Sequence, residues 1–330
     1  MKGNKMLSGI NIKLLIKISI AVMAIYLLFN TGSLDFKSIL IVLDFPYLFL
    51  FSLLCLFLGI VISGIRWWIL LGITENNISI KTVLSIQLMG SFFSSWLPGA
   101  AGGDAVKGVL LFKLLDSRRS TALVSIAIDR IFAVFGLFSI ALVASAFLSS
   151  SIDNVILDFY INILEWGILI GLLVVLFFCI CIFMIKSFSL HVYLPVAIRS
   201  YFSPLGKIAS YYKKSWFQLL LSCILSMLAS GIVVVGIVVI SLMYEFSASP
   251  AVTAIAGVIG NVSSVVPVTP GGIGVGEAVF AKISSDLSGS FAPFATIYFT
   301  FRIGMLLANI PGMLITMAYS NTRHRELNNS

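Results

Sequence analysis

Four charged side chains lie inside apolar sequence: Asp104, Arg130, Glu277 and Arg302. A charge at membrane depth is costly and is by default a functional residue. Each acid closes a short run of small residues. Residues 90–104 read GSFFSSWLPGAAGGD and residues 260–277 read GNVSSVVPVTPGGIGVGE. Both copies hold a glycine, a Ser-Ser pair, a Pro-Gly turn, further glycines and then the acid, and an arginine follows each one in the next apolar run. Duplicated apolar segments broken by Gly and Pro are the sequence mark of a transporter's binding site.

The chemistry offered is anion binding. A helix cannot run through Pro98-Gly99 or Pro270-Gly271-Gly272, so a half-helix must begin near Gly102 and near Gly274. The N-terminus of such a half-helix presents free N–H groups and a positive dipole end. Gly102, Gly103, Gly272 and Gly274 keep that backbone open to a ligand. Arg130 and Arg302 add positive charge, and Ser94, Ser95, Asn261, Ser263, Ser264 and Thr269 add hydrogen-bonding groups. Together they suit a phosphate-bearing headgroup.

Two roles stay open for Asp104 and Glu277. They cap their half-helices and complement the dipole, or they pair with Arg302 or Arg130 or carry a coupling proton, and both roles can hold together. Asp129 and Arg130 are adjacent and point about 100° apart on a helix, so they cannot serve one partner. One is expected in an ion pair between spans and the other at the ligand. Lys107 follows Asp104 by three residues and is placed to neutralise it. Arg66, beside Trp67 and Trp68, reads as an arginine snorkelling to an aromatic belt at the inner interface.

The elements that must carry these residues are membrane helices. The chain is 59% hydrophobic and 10% charged, against roughly 25% charged in soluble domains. It reads as one all-α polytopic membrane domain over 1–330. Full spans are expected at 14–30, 46–71, 120–148, 161–185, 216–243 and 291–319. Two broken segments, 83–117 and 251–288, carry arms of roughly 15 residues that rise only about 22 Å, short of a hydrocarbon core of about 30 Å. They are expected to be re-entrant hairpins.

Charge sets the orientation. With the N-terminus inside, the inner segments, including a basic loop at 186–215, hold most of the 21 Lys and Arg residues, and the outer segments hold only Lys37 and Lys282. That is the positive-inside pattern, with both termini cytoplasmic. The basic excess therefore does not imply nucleic acid. A shift near 172 residues lays 46–148 on 216–319, the first unit starting outside and the second inside, which predicts an inverted repeat.

Other chemistry finds no support in the sequence. The four cysteines (Cys55, Cys179, Cys181, Cys223) form no CxxC, and His191 and His324 stand apart, so neither a metal nor another cofactor is expected. Gly272 to Gly276 imitates part of a dinucleotide fingerprint but lacks the βαβ context. The GxxxG spacings at Gly99–Gly103 and Gly272–Gly276 read as close backbone approach at the hairpin tips.

In this order, Leu97-Pro98-Gly99 to Gly102-Gly103-Asp104, Ser125 to Asp129-Arg130, and Pro270-Gly271-Gly272-Ile273-Gly274 to Glu277 resemble the lysylphosphatidylglycerol synthase transmembrane-region family, over roughly 10–320. Ala100 and Ala101 replace part of the family's glycine run, and Lys107 takes its basic place. The resemblance implies the flippase-like membrane domain of multiple-peptide-resistance proteins. It also implies a stand-alone member without the aminoacyl-transferase domain, and hence no enzyme activity of its own.

The expected function is translocation of an anionic or phosphate-bearing lipid between leaflets of a prokaryotic inner membrane. Aminoacyl-phosphatidylglycerol-like and polyprenyl-phosphate-linked lipids are the candidates. Two rivals remain. One is a membrane-embedded transferase using Asp104 and Asp129 as an acid/base pair. The other is an accessory subunit whose basic loop docks a cytoplasmic or membrane biosynthetic enzyme.

Overall fold

The computed structural model describes residues 19, 22–23, 25–75, 77–96, 101–115, 119–148, 155–167, 169, 205–265, 269 and 272–328. Residues 14–18, 20–21 and 24 of the expected span at 14–30, most of 161–185, residues 186–204 of the basic loop and most of both hairpin tips lie outside these, while the rest of 14–30 is helical as expected. Among the described residues there is no strand. The helices are α1 (Pro46–Gly72), α2 (Ile80–Trp96), α3 (Ala101–Leu115), α4 (Arg119–Ala146), α5 (Leu205–Lys214), α6 (Trp216–Ser241), α7 (Pro250–Ser263), α8 (Val275–Ser288), α9 (Phe294–Ala308) and α10 (Ile310–Asn328). Further helical stretches cover 25–30 and 155–167, and a 3-10 helix covers Ser38–Leu43.

Among the described residues, four runs are long and apolar enough to cross a bilayer: Pro46–Gly72, Ser120–Ala146, Trp216–Ser241 and Phe294–Tyr319. They fall on four of the expected spans, and the protein is an all-helical polytopic membrane protein. The last run departs from the expected continuous helix, because it breaks at Asn309 between α9 and α10. Pro311 causes the break, having no N–H to return to Leu307. At the break the Asn309 side-chain amide also donates back to Met305 O at 2.8 Å.

The broken segments give two pairs of short helices. α2 has 17 residues, α3 has 15, and α7 and α8 have 14 each. At 1.5 Å per residue these rise only about 21–26 Å, less than a hydrocarbon core of about 30 Å. Their ends follow local rules. Pro250 opens α7 at the first helical position, and Ser249 Oγ caps it by accepting from Val252 N at 3.3 Å. Gly289, with φ +64°, closes α8 in the left-handed region.

Small residues let the long helices approach. α1 and α6 form the central pair, where Gly59 lies against Val233 and Gly236 against Leu56. Ser52 Oγ donates to Gly236 O at 3.0 Å across that seam. The hairpin arms α2 and α3 pack on each other, as do α7 and α8. Each first arm also packs on the closing helix of the other half, α2 on α10 and α7 on α4. Gly312 of α10 sits directly on the Leu88 carbonyl of α2.

Candidate functional site

Between the two hairpins lies a cavity of about 220 Å³. α2 contributes Ser91, Ser94 and Ser95; the second hairpin contributes Asn261, Ser264 and Ile273; α9 contributes Tyr298 and Arg302, and Asn309 stands at its C-terminal break. Five residues expected at a binding site therefore converge there: Ser94, Ser95, Asn261, Ser264 and Arg302. Asn309 ties the hairpins' surroundings together by donating from Nδ2 to Ser95 Oγ at 3.1 Å.

Arg302 is held from several sides. Its Nε lies 2.7 Å from Glu277 Oε1, a close ionic contact without hydrogen-bond alignment. Its Nη2 donates to Gly272 O at 3.1 Å and Ser264 Oγ at 3.3 Å. The Tyr298 ring stands 5.7 Å from the guanidinium carbon, within cation–π reach. Glu277 is 1% exposed, and its Oε2 also accepts from Gly274 N at 2.8 Å. Both roles considered for this acid thus occur at once: it caps α8 and it faces the arginine.

The first half repeats the pair. Arg130 clasps Asp104 with two parallel hydrogen bonds, Nε to Oδ2 and Nη2 to Oδ1, each 2.5 Å. This fork-on-fork geometry fixes both side chains. The pair is more open than its counterpart: the Arg130 side chain is 43% exposed, the Arg302 side chain 18%. Neither Asp104 nor Arg130 lines the cavity.

Glycines hold both hairpins closed at matching places. A Cβ at Gly103 would collide with Ser94 Oγ and the Gly90 carbonyl. One at Gly276 would collide with Ser264 Oγ and stand 2.7 Å from Tyr298 Cε1 and 3.1 Å from Arg302 Nη2. Gly276→Ala is therefore expected to cost about 1–3 kcal/mol by overpacking and to loosen Arg302. Gly108→Ala is the control, since its Cβ would meet only Ile126 at 3.9 Å. Thermal unfolding in detergent should fall for the first variant and hold for the second.

The remaining expected residues lie elsewhere. Ser263 Oγ donates to Gly260 O at 2.8 Å and does not line the cavity. Thr269 is fully buried, Gly272 has φ +69° and Gly274 φ +85°, while Gly102 is half-buried beside Gly103 at the start of α3. Lys107 does not pair with Asp104 as expected; its ammonium stands 5.0 Å from the Trp67 ring. Asp129 pairs with Arg66, at 2.9 Å from Nε and 2.8 Å from Nη2. The snorkelling expectation for Arg66 is therefore corrected. Arg66 is 2% exposed and points into the bundle, where Asp129 and Ser226 Oγ (3.0 Å) complete its hydrogen bonds. Adjacent Asp129 and Arg130 do serve different partners.

Tyr298, Asn309 and Ser91 were not expected at the site. Tyr298 precedes Arg302 by one helical turn, and Asn309 stands two residues before Pro311, so both carried a readable signal. Among the described residues there is no cluster of His, Cys, Asp and Glu able to hold a metal.

Membrane-crossing helices define a polytopic membrane protein, and the family that its sequence matches adds a lipid-related role. The chain matches the family described as the lysylphosphatidylglycerol synthase TM region over residues 14–312, and it belongs to that family. It matches no curated protein and no solved structure.

Proposed function

We propose that this protein is a translocase that carries a phosphate-bearing or otherwise anionic lipid between leaflets. The observation that carries this reading is the cavity itself, built jointly by the two hairpins and α9, where hydroxyls, amides and one guanidinium stand beside apolar Val265, Ile273, Phe301, Met305 and Leu306. Such a lining replaces the water around a polar headgroup while the tails stay in lipid. The half-exposed Arg130 provides a second cationic station outside the cavity.

The two halves support a mechanism of exchange. Setting α1 on α6, α2 on α7, α3 on α8, and α4 on α9 with α10 maps one set of helix contacts onto the other. The same mapping sets Asp104–Arg130 on Glu277–Arg302 and the Gly90–Gly103 approach on Gly260–Gly276. With the charge asymmetry of the loops, this supports two inverted units entering from opposite faces of a prokaryotic inner membrane. Inverted units permit two related states, one open to each side.

Acid–base chemistry is less well served. Asp104 is clasped by Arg130 and Asp129 by Arg66, so a transferase would first have to break an ion pair. Leaflet exchange of fluorescent lipids in proteoliposomes tests the proposal. The panel is phosphatidylglycerol, its aminoacyl form and a polyprenyl-phosphate analogue. Headgroup-selective exchange, reduced in Arg130→Ala, is expected. No exchange of any of the three by folded protein contradicts the proposal.

A further inference from the structure

Five charged side chains gather in the first half: Arg66, Asp104, Lys107, Asp129 and Arg130. Two ion pairs account for four of them. Lys107 is left over. It is 4% exposed, and among the described residues no carboxylate stands within ion-pair distance of its ammonium, which rests on the Trp67 face. The charged groups facing it are Asp129 and Arg130 from α4, Asp104 from its own helix and Arg66 from α1. On α2, Gly90 lies against its stem, where an added Cβ would stand 2.7 Å from Lys107 Cγ.

The cluster therefore carries three cations against two carboxylates. Among the described residues, the second half has nothing like it. The offset that sets Asp104 on Glu277 sets Lys107 on Phe280, and the offset that sets Arg130 on Arg302 sets Asp129 on Phe301. Both phenylalanines are buried. The carboxylate–arginine pairs are duplicated, while the surplus charge belongs to one half alone.

A surplus charge at membrane depth is balanced in one of two ways: a proton leaves or an anion arrives. Arginine does not release its proton in proteins, whereas lysine does. Lys107 is thus the cation of the cluster that can titrate. Arg130, the exposed cation beside it, is where an anion would be met. Two bound species that each change the other's affinity must do so reciprocally.

We propose that Lys107 is a proton site linked to headgroup occupancy. Nζ takes one proton from water when an anionic headgroup engages Arg130, and returns it to water when the headgroup leaves. This rests on the translocase reading and adds its coupling ion. Lys107 acts through the field it shares with Arg130 and does not itself touch the lipid.

The test is leaflet exchange of fluorescent phosphatidylglycerol across a pH series in wild type, Lys107→Arg and Lys107→Met. Wild-type exchange should fall with rising pH, by up to about tenfold per pH unit for one linked proton. Lys107→Arg, permanently charged, should exchange with a flat profile, and Lys107→Met should be slow at every pH. A wild-type profile retained in Lys107→Arg overturns the proposal, as does a flat wild-type profile. If Lys107→Arg fails to fold, proton uptake by wild type on adding short-chain phosphatidylglycerol in weak alkaline buffer, where the empty site has shed its proton, decides. Uptake near one proton per protein is expected, and none overturns it. Absence of exchange in every sample counts against the translocase reading, while the proton-uptake measurement still judges Lys107.

Discussion

Arg66→Met lowers the stability of the protein by about 3–5 kcal/mol, the cost of leaving a buried carboxylate without its partner. The carboxylate is Asp129, 4% exposed, and Arg66 is the cation that meets it. The double variant Arg66→Met/Asp129→Leu recovers most of the loss, because well-packed apolar side chains replace a buried ion pair at little net cost. Thermal unfolding in detergent of the two single variants and the double variant reads this directly. Equal loss in single and double variants would mean that Arg66 acts through packing, not through Asp129.

Arg302→Ala abolishes most lipid exchange. The substitution removes the guanidinium from the cavity and leaves Glu277, 1% exposed, facing an empty place. A hydrogen bond to a charged group is worth about 1.5–3 kcal/mol, or roughly tenfold to a hundredfold in affinity. Misfolding is separated from lost binding by Arg302→Ala/Glu277→Ala, which removes the orphaned charge. That variant should regain thermal stability and still fail to exchange lipid. Recovery of exchange would show that Arg302 serves only to neutralise Glu277.

Much of this site was legible in the sequence because it is written twice. The Ser-Ser pairs, the glycines and the acids stand at like positions in both copies, so chance is a poor account of them. The long apolar runs and the short arms followed from length alone. Arg66 was misread for a physical reason. An arginine beside two tryptophans near a span end has the local look of an interfacial anchor, and its partner Asp129 lies 63 residues away. Only packing brings α1 to α4 and decides which way the side chain turns. Tertiary placement also took Lys107 to the Trp67 face, although Asp104 stood within one turn. The break at Asn309 was written in Pro311, but the surrounding apolar residues favoured a continuous span. That the cavity takes in Arg302 and not Arg130 has no local signal, since the two halves share a pattern and differ in closure.

The central claim is that a headgroup crosses through the cavity between the hairpins, and two-sided access tests it most directly. A cysteine replaces Ser91, which lines the cavity, in a chain whose four native cysteines are changed to alanine. A membrane-impermeant maleimide is then applied to right-side-out and to inside-out vesicles. Labelling from both faces, slowed by added lipid substrate, is the predicted result. Labelling from one face only, unchanged by lipid, would contradict a translocase and fit an embedded enzyme or a partner subunit.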